Sequence, residues 1–153
     1  MDLLHKLAEL GLELPAAPKP AGAYVPAVRT GNLIVVSGQL PFRAGQLLAT
    51  GPVPSAVTIE QAQAATRQCV LNGLAVVGAE LKGDWSRLVR VVRVGVFVQC
   101  DTGFSQQPQV ANVASELLVE LLGDAGRHAR AAVGVNALPL NAAVEIEFLV
   151  ECR

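Results

Sequence analysis

Apolar positions along the chain switch between helical spacing and strict alternation, and the switches divide it into elements. Leu3, Leu4, Leu7 and Leu10 recur at helical spacing, with Asp2 placed to cap a short helix and Gly11 to stop it. Residues 15–22 form an extended proline-rich linker, too short for a domain boundary. Residues 24–29 and 33–39 read as strands joined by a turn at Gly31-Asn32. The second of these is apolar on both faces, which predicts a central strand. Ser37-Gly38 ends it, and Gly38 lets another group approach the backbone closely. A further strand pair or loop is expected over residues 42–48, turning at Ala44-Gly45.

Thr58 and Gln61 have the spacing of a capping box, in which each side chain satisfies the other residue's backbone N–H. The helix it opens runs to about Val77, with Ala62, Ala65, Cys69 and Val76 inward and Val70, Leu74 and Val77 widening the stripe. Such a helix lies flat on a sheet. Trp85 is expected to anchor a short helical turn in the core. A strand over residues 89–99 places Val92, Val94, Val96 and Val98 on one face. A second long helix is expected over residues 108–122, with Val110, Ala114, Leu117, Leu118 and Leu121 inward and Gly123 as its stop.

The last third alternates again. Ala131, Val133 and Val135 fall on one face, and Arg130, Ala132 and Gly134 on the other. Leu138-Pro139 breaks the pattern; then Val144, Ile146 and Phe148 share a face opposite Glu145 and Glu147. The order β-β-β-α-β-α-β predicts an α+β fold with two helices packed on one face of a sheet.

Composition adds an expectation about association. The chain has 153 residues, 52% of them hydrophobic and 16% charged. That suffices for one domain, but its apolar surface is hard to cover in a monomer, so an oligomer is expected. A net charge of −1, with four phenylalanines, one tryptophan and one tyrosine, argues against a nucleic-acid partner. No apolar run reaches membrane-spanning length, and the N-terminus lacks a long apolar core of the signal-peptide kind. Cys69, Cys100 and Cys152 show no metal or disulfide spacing and fit free thiols in a reducing cytoplasm. His5 and His128 are too far apart to argue a metal site.

Few residues then remain for chemistry. Arg130, followed on its own face by two small residues, has room to receive a carboxylate on its fork of donors, or to serve as a structural ion-pair donor. Glu145, on a strand taken to abut that of Arg130, can move a proton if burial raises its pKa; otherwise it is a solvated strand residue like Glu147. Tyr24 can stack on a ligand or fill an interface. Asn112, taken as a buried amide, needs a partner and either fixes its helix or points into a cleft. Ser37 and Gly38 offer a hydroxyl and an open backbone, or a plain strand end.

The run Arg130-x-x-Val133-x-Val135-x-x-Leu138-Pro139, followed by Val144-Glu145-Ile146-Glu147, resembles the C-terminal signature of the YjgF/RidA family. These are reactive-intermediate (enamine/imine) deaminases once labelled endoribonuclease L-PSP. Tyr24, residues 33–39, residues 58–65 and Asn112 extend the resemblance over most of residues 24–151. It implies a chorismate-mutase-like α+β fold assembled as a homotrimer, with active sites in the clefts between subunits. Residues 1–153 would form one such domain, residues 1–20 being an N-terminal extension. The implied activity is hydrolysis of 2-aminoacrylate- or 2-iminobutanoate-type carboxylates to 2-keto acids and ammonia, without cofactor or metal.

Carried over by position, Arg130 would clamp the substrate carboxylate and Glu145 would position or activate water. Tyr24, Ser37, Gly38, Asn112 and Ala132 would line the cleft. RidA-type members carry a cysteine where this chain has Ala132. With the extension and the insertion between Gly123 and His128, this points to a side branch of the family. A non-catalytic sensor of a small carboxylate metabolite, on the same trimer, is the alternative.

Overall fold

Residues 3–20 and 22–153 are described by the computed structural model, so the expected cap at Asp2 lies outside the described residues. Helix α1 (Leu3–Glu9) buries Leu3 and Leu7, while Leu4 and Leu10 face solvent. Gly11, with φ of 65°, ends that turn in the left-handed region.

Strands β1 (Ala27–Thr30) and β2 (Leu33–Gln39) follow, then a small hairpin of β3 (Phe42–Arg43) and β4 (Gln46–Leu47). Helix α2 (Ile59–Glu80) precedes β5 (Leu88–Gln99), and α3 (Gln107–Leu122) precedes β6 (Ala129–Val135) and β7 (Val144–Cys152). The strand expected from residue 24 begins only at Ala27. The capping box forms: Gln61 N donates to Thr58 Oγ1 at 3.1 Å, and Thr58 N donates to Gln61 Oε1 at 2.9 Å. Helix α2 carries buried polar residues as well as apolar ones, because the β3–β4 hairpin crosses its back. Asn72 Nδ2 donates to the carbonyls of Leu40 and Phe42 there, each at 3.0 Å.

The main sheet has the order β1-β2-β7-β5-β6, and every pairing is antiparallel except β5–β6. A parallel pair needs a crossover, and α3 supplies it. The result is α+β, a mixed sheet with three helices. Helices α2 and α3 cover one face, over Val94, Val96 and Val98 of β5 and Val144, Ile146 and Phe148 of β7. Gly73 of α2 leaves room for the Phe148 ring, and Gly78 for the Trp85 indole, which sits in the core as expected. Among the described residues no helix is long and apolar enough to cross a membrane.

Three expectations change. Strand β2 has a neighbour on either side, but it lies next to the edge strand, and its second apolar face is bare: Val35 is 47% exposed, beside Val28 at 54%. Strand β5 slips register between Val91 and Arg93, so Val91 is buried and Val92 only partly, breaking the expected even row of valines. Strand β7, which carries Glu145, does not abut β6, which carries Arg130; β5 lies between them.

Candidate functional site

The bulge in β2 builds the first half of the site. Between Val36, opposite Phe148, and Gln39, opposite Ile146, the β2–β7 register shifts at Ser37-Gly38. Bulges re-aim side chains and leave backbone free. Ser37 Oγ donates to the Val25 carbonyl at 2.7 Å, and Ser37 N donates to Pro26 O at 2.9 Å, which docks the segment leading into β1. Over Gly38 lies the Glu145 carboxylate: a Cβ there would overlap it. Tyr24, Ser37, Gly38, Phe42, Pro139 and Glu145 line a cavity of about 200 Å³. Tyr24 is half exposed at its mouth. Lys19, from the linker, lines it as well.

Electrostatics separate Glu145 from the other glutamates of its strand. Glu147 is paired to Arg93 at 2.9 Å. Among the described residues, Glu145 has no cation within ion-pair distance. Burial, and then the charge of Glu147, raise its pKa above the ordinary glutamate value. The solvated-strand alternative therefore fits Glu147 better than Glu145.

Arg130 builds the second half. It pairs with Val94 across β5–β6, so it points to the helix-covered side of the sheet. Its Nη1 donates to Asn112 Oδ1 at 3.0 Å and to Ser115 Oγ at 3.1 Å, both on α3. No carboxylate among the described residues lies within ion-pair distance of it. Asn112 is exposed, not buried as expected, and its amide oxygen finds its partner in Arg130 on β6. Ala132 is half-buried and packs against the core. The space expected beside Arg130 is partly filled: over Gly134 lie Cys100 Sγ and the Gln107 amide.

Two residues of this cluster are not among the sequence candidates: Ser115 carries no signal of its own, and His128 enters there only as a metal ligand set aside. Ser115 bonds to Arg130, and His128 Nε2 lies 3.0 Å from Ser115 Oγ. Spacing carried the signal: Ser115 is one helical turn from Asn112, and His128 is two strand positions before Arg130, on its face. Among the described residues no group of His, Cys, Asp and Glu could hold a metal ion. All three cysteines are free of disulfides, Cys69 and Cys152 buried and Cys100 partly so.

The fold and cavity together define a mixed-sheet α+β protein with a small, largely apolar pocket that holds one carboxylate at a strand bulge. The sequence profile of the endoribonuclease L-PSP family matches residues 14–152, and the chain belongs to that family, the YjgF/RidA family. It is similar to protein TCP17 of Trypanosoma cruzi, 45% identical over 146 residues that cover 95% of this chain and 91% of that one. It is also similar to the 2-iminobutanoate/2-iminopropanoate deaminase of Dermatophagoides farinae, 33% identical over 141 residues, 91% of this chain and 93% of that one. Among solved structures, the Agrobacterium tumefaciens protein Atu1372, of unknown function, superposes with a TM-score of 0.93 at 45% identity, covering 99% of this chain and 92% of that one.

Proposed function

We propose that this protein hydrolyses small 2-imino and 2-enamino carboxylates, of the 2-iminobutanoate or 2-aminoacrylate type, to 2-keto acids and ammonia. One observation carries the reading: an unpaired, half-buried glutamate opens on a cavity, and a guanidinium free of carboxylates stands on the far side of the same sheet. Each is half of a site. In this reading the halves meet between copies of the chain, in a chorismate-mutase-like homotrimer packed through the bare valine face. The chain acts as one domain over residues 1–153, with residues 1–20 as an extension whose Pro18, Lys19 and Pro20 also wall the cavity.

The chemistry needs little else. Arg130 takes the substrate carboxylate on the donors not used by Asn112 and Ser115. That sets the electrophilic imine carbon against a water beside Glu145, and orientation of this kind removes much of the barrier. Water adds to the carbon, Glu145 taking its proton and passing it to nitrogen; the carbinolamine then collapses to the keto acid and ammonia. A carboxylate with a raised pKa suits both proton transfers near neutrality. Tyr24, Ser37 and Gly38 shape the pocket, and Ala132 the floor beside the arginine. The reaction draws on no cofactor, metal or nucleic acid. Three free thiols fit a protein that works in the cytoplasm, away from membranes.

The similarity to a protein named as a 2-iminobutanoate/2-iminopropanoate deaminase supports this reading. The alternative, a non-catalytic sensor of a small carboxylate, is favoured by one residue: Ala132 stands where the RidA-type members carry cysteine. Both are tested with 2-iminobutanoate generated in situ by an amino-acid oxidase. Wild type is expected to speed imine decay, and Arg130→Ala to lose at least about a hundredfold, since a charge-assisted bidentate contact contributes ~3 kcal/mol. No acceleration by wild type, or equal acceleration by the variant, overturns the enzyme reading for that substrate.

A further inference from the structure

We propose that His128 and Ser115 are positioning residues that lock the Arg130 guanidinium in the orientation in which it receives a carboxylate. The proposal rests on the reading of Arg130 as a carboxylate receptor.

The direction of each hydrogen bond follows from the partners. His128 Nδ1 lies 2.6 Å from the Gly126 carbonyl oxygen, which can only accept, so Nδ1 carries the proton. In a neutral imidazole Nε2 is then an acceptor. Ser115 Oγ, at 3.0 Å, donates its one proton to it. That leaves only lone pairs on Ser115 Oγ, and Arg130 Nη1 donates into one of them at 3.1 Å. The second Nη1 proton goes to Asn112 Oδ1 at 3.0 Å. A planar guanidinium held through both protons of one nitrogen cannot rotate, and the edge formed by Nε and Nη2 is left as a fixed fork.

The imidazole is kept in the neutral form this chain of bonds requires. Burial lowers its pKa, the Gly126 carbonyl opposes that, and the Arg130 charge adds to the lowering. Without His128, the serine proton would be free to turn toward Arg130 and repel it. The network also spans three elements. The Gly126 turn packs so closely on α3 that a Cβ would overlap the Leu118 carbonyl, Ser115 and Asn112 lie on α3 itself, and His128 immediately precedes β6, which carries Arg130.

Two measurements on the intact protein test this. First, guanidinium Nη proton resonances are recorded at low temperature in wild type, Ser115→Ala, Ser115→Thr and His128→Phe. Resolved, slowly rotating signals for Arg130 are expected in wild type and Ser115→Thr, and averaged signals in the other two. Second, 2-oxobutanoate is titrated calorimetrically against the same proteins and Arg130→Ala. Ser115→Ala and His128→Phe are expected to bind roughly tenfold more weakly, the worth of one charged hydrogen bond, with Ser115→Thr near wild type. Signals that stay resolved in Ser115→Ala overturn the proposal. So does unchanged affinity in Ser115→Ala alongside weakened binding in Arg130→Ala, which leaves the receptor reading standing. Arg130→Ala binding as tightly as wild type overturns the receptor reading itself, and this proposal with it.

Discussion

Arg130 and Glu145 stand on opposite faces of one sheet. Arg130 lies opposite Val94, on the side covered by the helices, and Glu145 lies opposite Phe97, on the open side. Strand β5 separates the two strands that carry them. No side-chain movement within one chain brings both to a single small substrate, so a site that uses both draws on two copies.

That arrangement predicts complementation. Arg130→Ala and Glu145→Gln are each expected to be inactive toward 2-iminobutanoate when expressed alone. Co-expressed, they form mixed oligomers in which roughly a quarter of the clefts join an intact arginine to an intact glutamate, given random closed assembly. Activity is therefore expected to return in the co-purified mixture. A mixture as inactive as its parts would rule out a cleft shared between chains.

Glu145 gives a pH signature in stability. Its folded pKa is raised by burial and by the charge of Glu147, so folding favours the protonated form. Its contribution is fully present below the ordinary glutamate range and is lost as pH rises through the folded value. Glu145→Gln mimics the protonated state at every pH. The variant is therefore expected to be more stable than wild type near neutral pH, with the difference vanishing in acid. Urea midpoints at about pH 7 and about pH 4 check this. A difference of equal size at both would contradict it.

At Gly38 function and stability should separate. An added methyl would overlap the end of the Glu145 side chain, which can swing aside. Gly38→Ala is expected to lower stability by only about 1 kcal/mol, with a thermal midpoint within a few degrees of wild type. Imine hydrolysis should fall about tenfold or more, because the displaced carboxylate no longer meets the substrate. Wild-type rates in a folded Gly38→Ala protein would remove Glu145 from the chemistry.

Gly126 should behave the opposite way. Its missing Cβ faces the backbone of Leu118 and Val119, which a helix cannot move. Gly126→Ala is expected to cost about 3 kcal/mol, a drop in thermal midpoint of roughly 10 °C for a chain of this size. A melt unchanged from wild type would show that the turn does not pack on α3 as described.

Local chemistry made much of the fold legible. Thr58 and Gln61 set the start of α2, Gly31 and Ala44-Gly45 set two turns, and the valine alternation set the strands, because caps, turns and pleat alternation depend on neighbours along the chain. The sequence by itself determined the α+β class, the family, and the residue types available for chemistry. It could not give the strand order, since which strands pair depends on contacts distant in sequence; the sequence pattern sets the Glu145 strand beside that of Arg130, and in the fold β5 intervenes. Nor could it separate Glu145 from Glu147, which alternate alike and part only in the folded chain: Arg93 reaches Glu147 across the sheet, while Glu145 lies over Gly38 in the cavity. The tertiary structure alone decided that the Ser37-Gly38 bulge carries a cavity, and that a serine and a histidine hold the arginine, because both follow from how separate elements pack.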